Sequence, residues 1–136
     1  MPKEAKDVLD PCHIMVVDDD PDFADVLKMA LEEEGYEVVT AVSGQAALDL
    51  LRGGLSPEVI LLDIRMPVMD GFEFEAEREK EALAMHAALL IISSEPINVS
   101  ARLGPDAVIR KPFGAKQIVA LARSFIGKPG DGSFIN

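Results

Sequence analysis

An open parallel β-sheet covered on both faces by helices is the fold class that this sequence predicts, and three observations predict it. Short, wholly apolar runs recur along the chain, as strands buried on both sides require. Segments with helical apolar spacing stand between them, as crossover connections require. The apolar runs end in polar residues, Asp18-Asp19-Asp20, Asp63, Ser93-Ser94 and Arg110-Lys111, so one end of the sheet carries the chemistry.

The elements follow in order. Ile14 to Val17 reads as the first strand. Asp20 then suits an N-cap and Pro21 the first helical position, with Phe23, Val26, Leu27, Ala30 and Leu31 at helical spacing until Gly35. Tyr36 to Ala41 is a second strand rich in β-branched residues, and Ser43 caps a helix carrying Ala47, Leu48 and Leu51 that ends at Gly53-Gly54. Val59 to Leu62, after Pro57, repeats the pattern of a doubly buried strand. Phe72 to about Met85 predicts a helix by propensity, although Phe72-Glu73-Phe74-Glu75 alternates as a strand would. Leu89 to Ile92 and Ala107 to Ile109 are the fourth and fifth strands, and Ala115 to Ile126 is the last helix. Pro96, Gly104 and Pro105 leave room for only a turn or two between those strands.

A length of 136 residues suits one compact domain, with 49% hydrophobic and 27% charged residues as in globular proteins. Thirteen Lys and Arg against twenty-four Asp and Glu give a net charge of −11, which repels phosphate backbones and anionic lipid. Direct nucleic-acid binding is therefore not expected. Cys12 is the only cysteine, so no internal disulfide forms. Neither a signal peptide nor a membrane-spanning segment is recognisable, and the expected location is the cytoplasm.

In an open parallel sheet, ligands bind beyond the carboxyl ends of the strands, where the strand order reverses. Asp18, Asp19, Asp63, Ser93 and Lys111 all fall at such ends. Like charges about 4 Å apart repel by roughly 4 kcal/mol at an effective dielectric near 20, so three carboxylates in a crevice need cations. Lys111 supplies one charge, and a hard divalent ion such as Mg²⁺ suits the carboxylates. A metal, an ammonium and a hydroxyl together suit a phosphoryl group, and one carboxylate can serve as its acceptor.

Val16-Val17-Asp18-Asp19-Asp20-Pro21, then Leu62-Asp63-Ile64-Arg65-Met66-Pro67-Val68-Met69-Asp70-Gly71, then Ser93-Ser94 and Lys111-Pro112-Phe113 together resemble the receiver domain of two-component response regulators. Any one of these motifs is weak, but four in order, each after a predicted strand, are specific. The resemblance implies a flavodoxin-like five-stranded sheet of order 2-1-3-4-5, with the fourth helix shortened here. Residues 12–127 would form the receiver, 1–11 a flexible extension and 128–136 a loose tail. It further implies Asp63 as phosphoacceptor, Asp18, Asp19, Asp63 and the Arg65 carbonyl as Mg²⁺ ligands, Lys111 as the phosphoryl contact and Ser93 as the switch hydroxyl. The Lys111-Pro112 bond would be cis. The donor would be a histidine kinase or phosphotransfer protein, and the output a conformational change read by a protein partner. The chain would act alone, as a signalling domain rather than an enzyme, with slow autodephosphorylation at most.

Two departures bear on output: Val108 stands where the family commonly has a switch aromatic, and the Ser93 to Lys111 interval is short. They admit an alternative, a pseudo-receiver that binds partners without phosphate. A metal-dependent phosphatase fits less well, because Arg65 occupies the place of a second acid two residues after Asp63. Other residues read as structural. Asp20 caps a helix, Asp70-Gly71 forms a turn, Met66 and Met69 pack in a loop, and His13 and His86 are not ligands. The glutamates from Glu73 to Glu81 form a solvated helix face, with partner docking as the lesser reading.

Overall fold

The computed structural model describes residues 10–94, 98, 101–111 and 113–127. Five strands, β1 (Asp10–Val17), β2 (Val38–Ala41), β3 (Leu55–Asp63), β4 (Ala88–Ser93) and β5 (Ala107–Arg110), form one parallel sheet of order β2-β1-β3-β4-β5. Among the described residues, four full helices accompany it: α1 (Pro21–Glu33), α2 (Gly44–Arg52), α3 (Gly71–Lys80) and α4 (Ala115–Ile126). This is the doubly wound, flavodoxin-like order expected.

Side-chain alternation along the strands divides the apolar residues into two cores. Met15, Val17, Ile60, Leu62, Leu89 and Ile91 meet Ala47, Leu48 and Leu51 of α2 and Phe74 of α3. Ile14, Val16, Val59, Leu61, Leu90 and Ile92 meet Ala24, Leu27 and Leu31 of α1 and Ile118 and Ala122 of α4. The central strands are thus buried on both faces, and every polar strand end is left at the rim.

The boundaries differ from the periodicity reading where polar residues or prolines interrupt an apolar run. β1 starts at Asp10 and β3 at Leu55, and the two pair from Asp10↔Leu55 onward through Cys12↔Pro57. Pro57 is tolerated because β4 begins pairing only at Val59, so β3 is still an edge at that point. β2 starts at Val38 rather than Tyr36, although the Glu37 carbonyl already accepts from His13 and Ile14 N–H.

The α3 segment is helical at Phe72 to Glu75, where alternation competed with helix propensity. A capping box settles it: Asp70 accepts from Glu73 N–H at 2.9 Å, and Glu73 accepts from Asp70 N–H at 3.0 Å. The helix stops at Lys80 instead of reaching Met85. Ala82 and Ala84 take left-handed φ values of 54° and 49°, a stop that no glycine announces. Arg78 stabilises the exit by donating to the Leu83 and Ala84 carbonyls at 3.2 and 2.9 Å. The same guanidinium holds Glu75 through bonds of 2.8 and 2.6 Å, and both side chains are buried. Glu75 is therefore not part of a solvated face, as its neighbours Glu73 and Glu79 are.

Between β4 and β5, Asn98 is helical and Ala101–Leu103 form a 3₁₀ turn, while the rest of the segment expected to carry the shortened helix, 95–97 and 99–100, lies outside the described residues. Of the flexible extension expected over residues 1–11, Asp10 and Pro11 instead belong to β1, where they pair with Leu55 and Ser56 of β3; residues 1–9, the expected tail 128–136 and Pro112, with the cis bond expected there, lie outside the described residues. Among the described residues, no helix is long and apolar enough to cross a membrane.

Candidate functional site

β1 and β3 lie side by side, so their carboxyl ends bring Asp18, Asp19 and Asp63 together. One carboxylate oxygen from each lies within 4.8 Å of the others. Asp18 and Asp63 are buried and Asp19 is the most open of the three. Local backbone geometry orients them. The Asp20 N–H donates to Asp18 Oδ1 at 2.9 Å, and the Arg65 N–H donates to Asp63 Oδ1 at 3.2 Å. Asp20 itself accepts from Asp22 and Phe23 N–H at 3.1 and 3.4 Å, as a helix cap should.

Lys111 reaches the cluster from the end of β5, its Nζ 3.6 Å from Asp63 Oδ2. Its backbone N–H donates to the Ser93 carbonyl at 3.0 Å, which ties it to the end of β4. Ser93 is fully buried. The loop from Ile64 to Asp70 closes the floor. Gly71 N–H donates to the Ile64 carbonyl at 2.8 Å, and a Cβ on Gly71 would lie 2.8 Å from Ile64 Cα. Only glycine permits that approach. Met66 packs into the core and Met69 against it, as loop packing predicts.

Two buried carboxylates beside one ammonium leave excess negative charge. Burial, and then the charge of Asp18, push the Asp63 carboxyl up to about 6, against the pull of Lys111 and the Arg65 N–H. Asp18 is also raised, again chiefly by burial. Asp18 Oδ2 is a buried carboxylate oxygen with no hydrogen-bond partner. An orphaned hard oxygen among three carboxylates fits a hard divalent cation such as Mg²⁺, and does not fit a soft metal.

The sequence-predicted residues Asp18, Asp19, Asp63 and Lys111 converge here, with Ser93 on the adjoining strand end. Sequence reading missed Phe23 and Phe113. Their rings pack edge to face at 5.5 Å, and Lys111 Nζ lies 5.4 Å from the Phe23 centroid. Phe113 stood within a quoted motif, but nothing in the sequence links it to Phe23. The histidines lie elsewhere: His13 Nδ1 accepts from Glu37 N–H at 2.8 Å and is held below its ordinary pKa chiefly by burial, while His86 Nε2 lies 3.3 Å from Ser56 Oγ.

Fold and site define a class, the doubly wound α/β signalling domains with an acidic pocket and a facing lysine at the switch point of the sheet. Within it, the chain belongs to the response regulator receiver domain family, whose pattern matches residues 14–123. Response regulator SaeR of Staphylococcus aureus is 30% identical over 109 residues, covering 79% of this chain and 47% of SaeR. The chain thus spans about half the length of the curated relatives it matches. A CheY-like receiver from Methanospirillum hungatei superposes with a TM-score of 0.74 at 29% identity, over 85% of this chain and 94% of that one. Response regulator TrrA of Thermotoga maritima, solved with Mg²⁺-BeF, gives 0.71 at 29% identity, over 84% and 98% of the two chains.

Proposed function

We propose that Asp63 accepts a phosphoryl group from a phosphohistidine on a histidine kinase or phosphotransfer protein, and that a protein partner reads the result. The observation that carries this reading is the Lys111 ammonium 3.6 Å from an Asp63 carboxylate that stands within 4.8 Å of two further acids. An Asp63 oxygen attacks phosphorus, the phosphorus–nitrogen bond to the donor imidazole breaks, and the departing nitrogen takes a proton. The product is an acyl phosphate. Asp18, Asp19, Asp63 and the Arg65 carbonyl would hold Mg²⁺, which would supply positive charge to the phosphoryl oxygens. Lys111 moves its contact from the Asp63 carboxylate to the new phosphoryl oxygen.

Ser93, buried at the end of β4, donates to the phosphoryl group and shifts the loop that follows it. The TrrA complex with Mg²⁺-BeF supports the metal assignment by likeness of fold and family. The domain acts in the cytoplasm and loses its phosphoryl group slowly. Cell fractionation checks the location.

Acetyl phosphate with Mg²⁺ tests the central step. Acid-stable, hydroxylamine-labile label should appear on the wild type and vanish in Asp63→Asn. Label retained in Asp63→Asn overturns the assignment. An unlabelled wild type, unshifted by beryllofluoride in NMR spectra, supports instead the pseudo-receiver that Val108 allows.

A further inference from the structure

We propose that Phe23 is a positioning residue for phosphoryl transfer, its ring holding the Lys111 ammonium beside Asp63; this rests on the phosphoacceptor reading above. Lysine carries its charge on a flexible four-carbon stem, and the Lys111 side chain is 35% exposed. A cavity of about 290 Å³ lined by Asp18, Asp20, Phe23, Lys111 and Phe113 lies beside it. The ammonium therefore has space to swing away from Asp63, and something must oppose that freedom.

Phe23 does so through the face of its ring. Lys111 Nζ is 5.4 Å from its ring centroid, within the range where the negative face of an aromatic ring attracts a cation. The ring is itself fixed. Phe23 is the third residue of α1, its N–H donating to the Asp20 cap at 3.4 Å, and the edge-to-face contact with Phe113 at 5.5 Å and 72° braces it. Phe113 lies two residues beyond Lys111, so the aromatic pair pins the loop bearing the lysine to the helix that follows the acidic pair. Both rings pack against the core shared by α1 and α4.

An aromatic face serves here better than a carboxylate. A second acid would hold the ammonium through its N–H donors and compete with the incoming phosphoryl oxygens. The ring attracts the charge by its quadrupole and leaves those donors free to turn. Lys111 is thus kept near Asp63 yet able to transfer its contact to a phosphoryl oxygen.

The test compares Phe23→Leu, Phe23→Tyr and a series with fluorinated phenylalanines at position 23, which keep ring shape while weakening the face. Labelling by acetyl phosphate should slow about fivefold in Phe23→Leu, the effect of losing one cation–π contact. It should recover to within twofold in Phe23→Tyr and fall stepwise with fluorination. In a Lys111→Ala background the same replacements should change the residual rate less than twofold. Independently of phosphorylation, NMR relaxation at Lys111 Cε should show greater mobility in Phe23→Leu and in the fluorinated series. Equal rates and equal Lys111 mobility across the series overturn the positioning role. An unlabelled wild type with ring-dependent Lys111 mobility overturns the phosphoacceptor reading instead, and leaves the hold of Phe23 on the lysine standing.

Discussion

Asp63 carries two opposed demands, because a buried carboxylate is destabilising as a charge yet must be ionised to attack phosphorus. With its pKa raised from about 4 unfolded to about 6 folded, the native state binds more protons than the unfolded state between those values. Stability of the metal-free protein therefore falls as pH rises from about 4 to 6 and levels off above. Asp63→Asn, neutral at every pH, should stabilise the metal-free protein at pH 7.5 by roughly 2 kcal/mol, with the gain disappearing toward pH 4; urea denaturation in chelator measures both. Val68 shows strain of another kind. Fully exposed, with φ at 69° and the Met69 N–H donating to the Pro67 carbonyl at 2.7 Å, this β-branched residue occupies a tight turn in the left-handed region. Val68→Gly loses no packing and should raise stability by about 1 kcal/mol in the same titration.

At the scale of elements, α3 shows how the site loop is anchored. Its first residue, Gly71, lies against the backbone that follows Asp63, and a methyl group there meets Ile64 Cα rather than a movable side chain. Gly71→Ala should cost about 2 kcal/mol and slow labelling of Asp63, since relief requires the loop after β3 to shift. The other end of α3 depends on Arg78, whose guanidinium serves Glu75 and two loop carbonyls. Removing it strands a buried acid. Arg78→Met should destabilise by about 3 kcal/mol, read as a lowered denaturation midpoint, while labelling per folded molecule stays unchanged. In the sequence, Glu75 and Arg78 look like any helical ion pair at i and i+3; burial alone separates them from the exposed pair Lys80 and Glu77.

For the whole molecule, the sheet order sets what the strand ends can do together. Mg²⁺ at a hundredfold excess over its dissociation constant should add about 2.7 kcal/mol of stability at pH 7.5. That gain should be lost in Asp18→Ala and fade as pH drops below about 6, where protons compete for Asp63; thermal melts with and without chelator decide it. Strands and four of the site side chains were legible in the sequence, because apolar runs ending in polar residues record a sheet buried on both faces and open at one rim; the strand order came from the resemblance of the motifs to receiver domains. Strand starts at Asp10 and Leu55 were not legible, since pairing there depends on a neighbour rather than on local hydropathy. The amino-acid order by itself determined which residues are apolar, which cap helices and which acids close each strand. Only the tertiary structure decided that the Lys111 ammonium lies near both Asp63 and the face of Phe23, because contacts between residues distant in the chain are set by how helices and strands pack, and no local pattern encodes them.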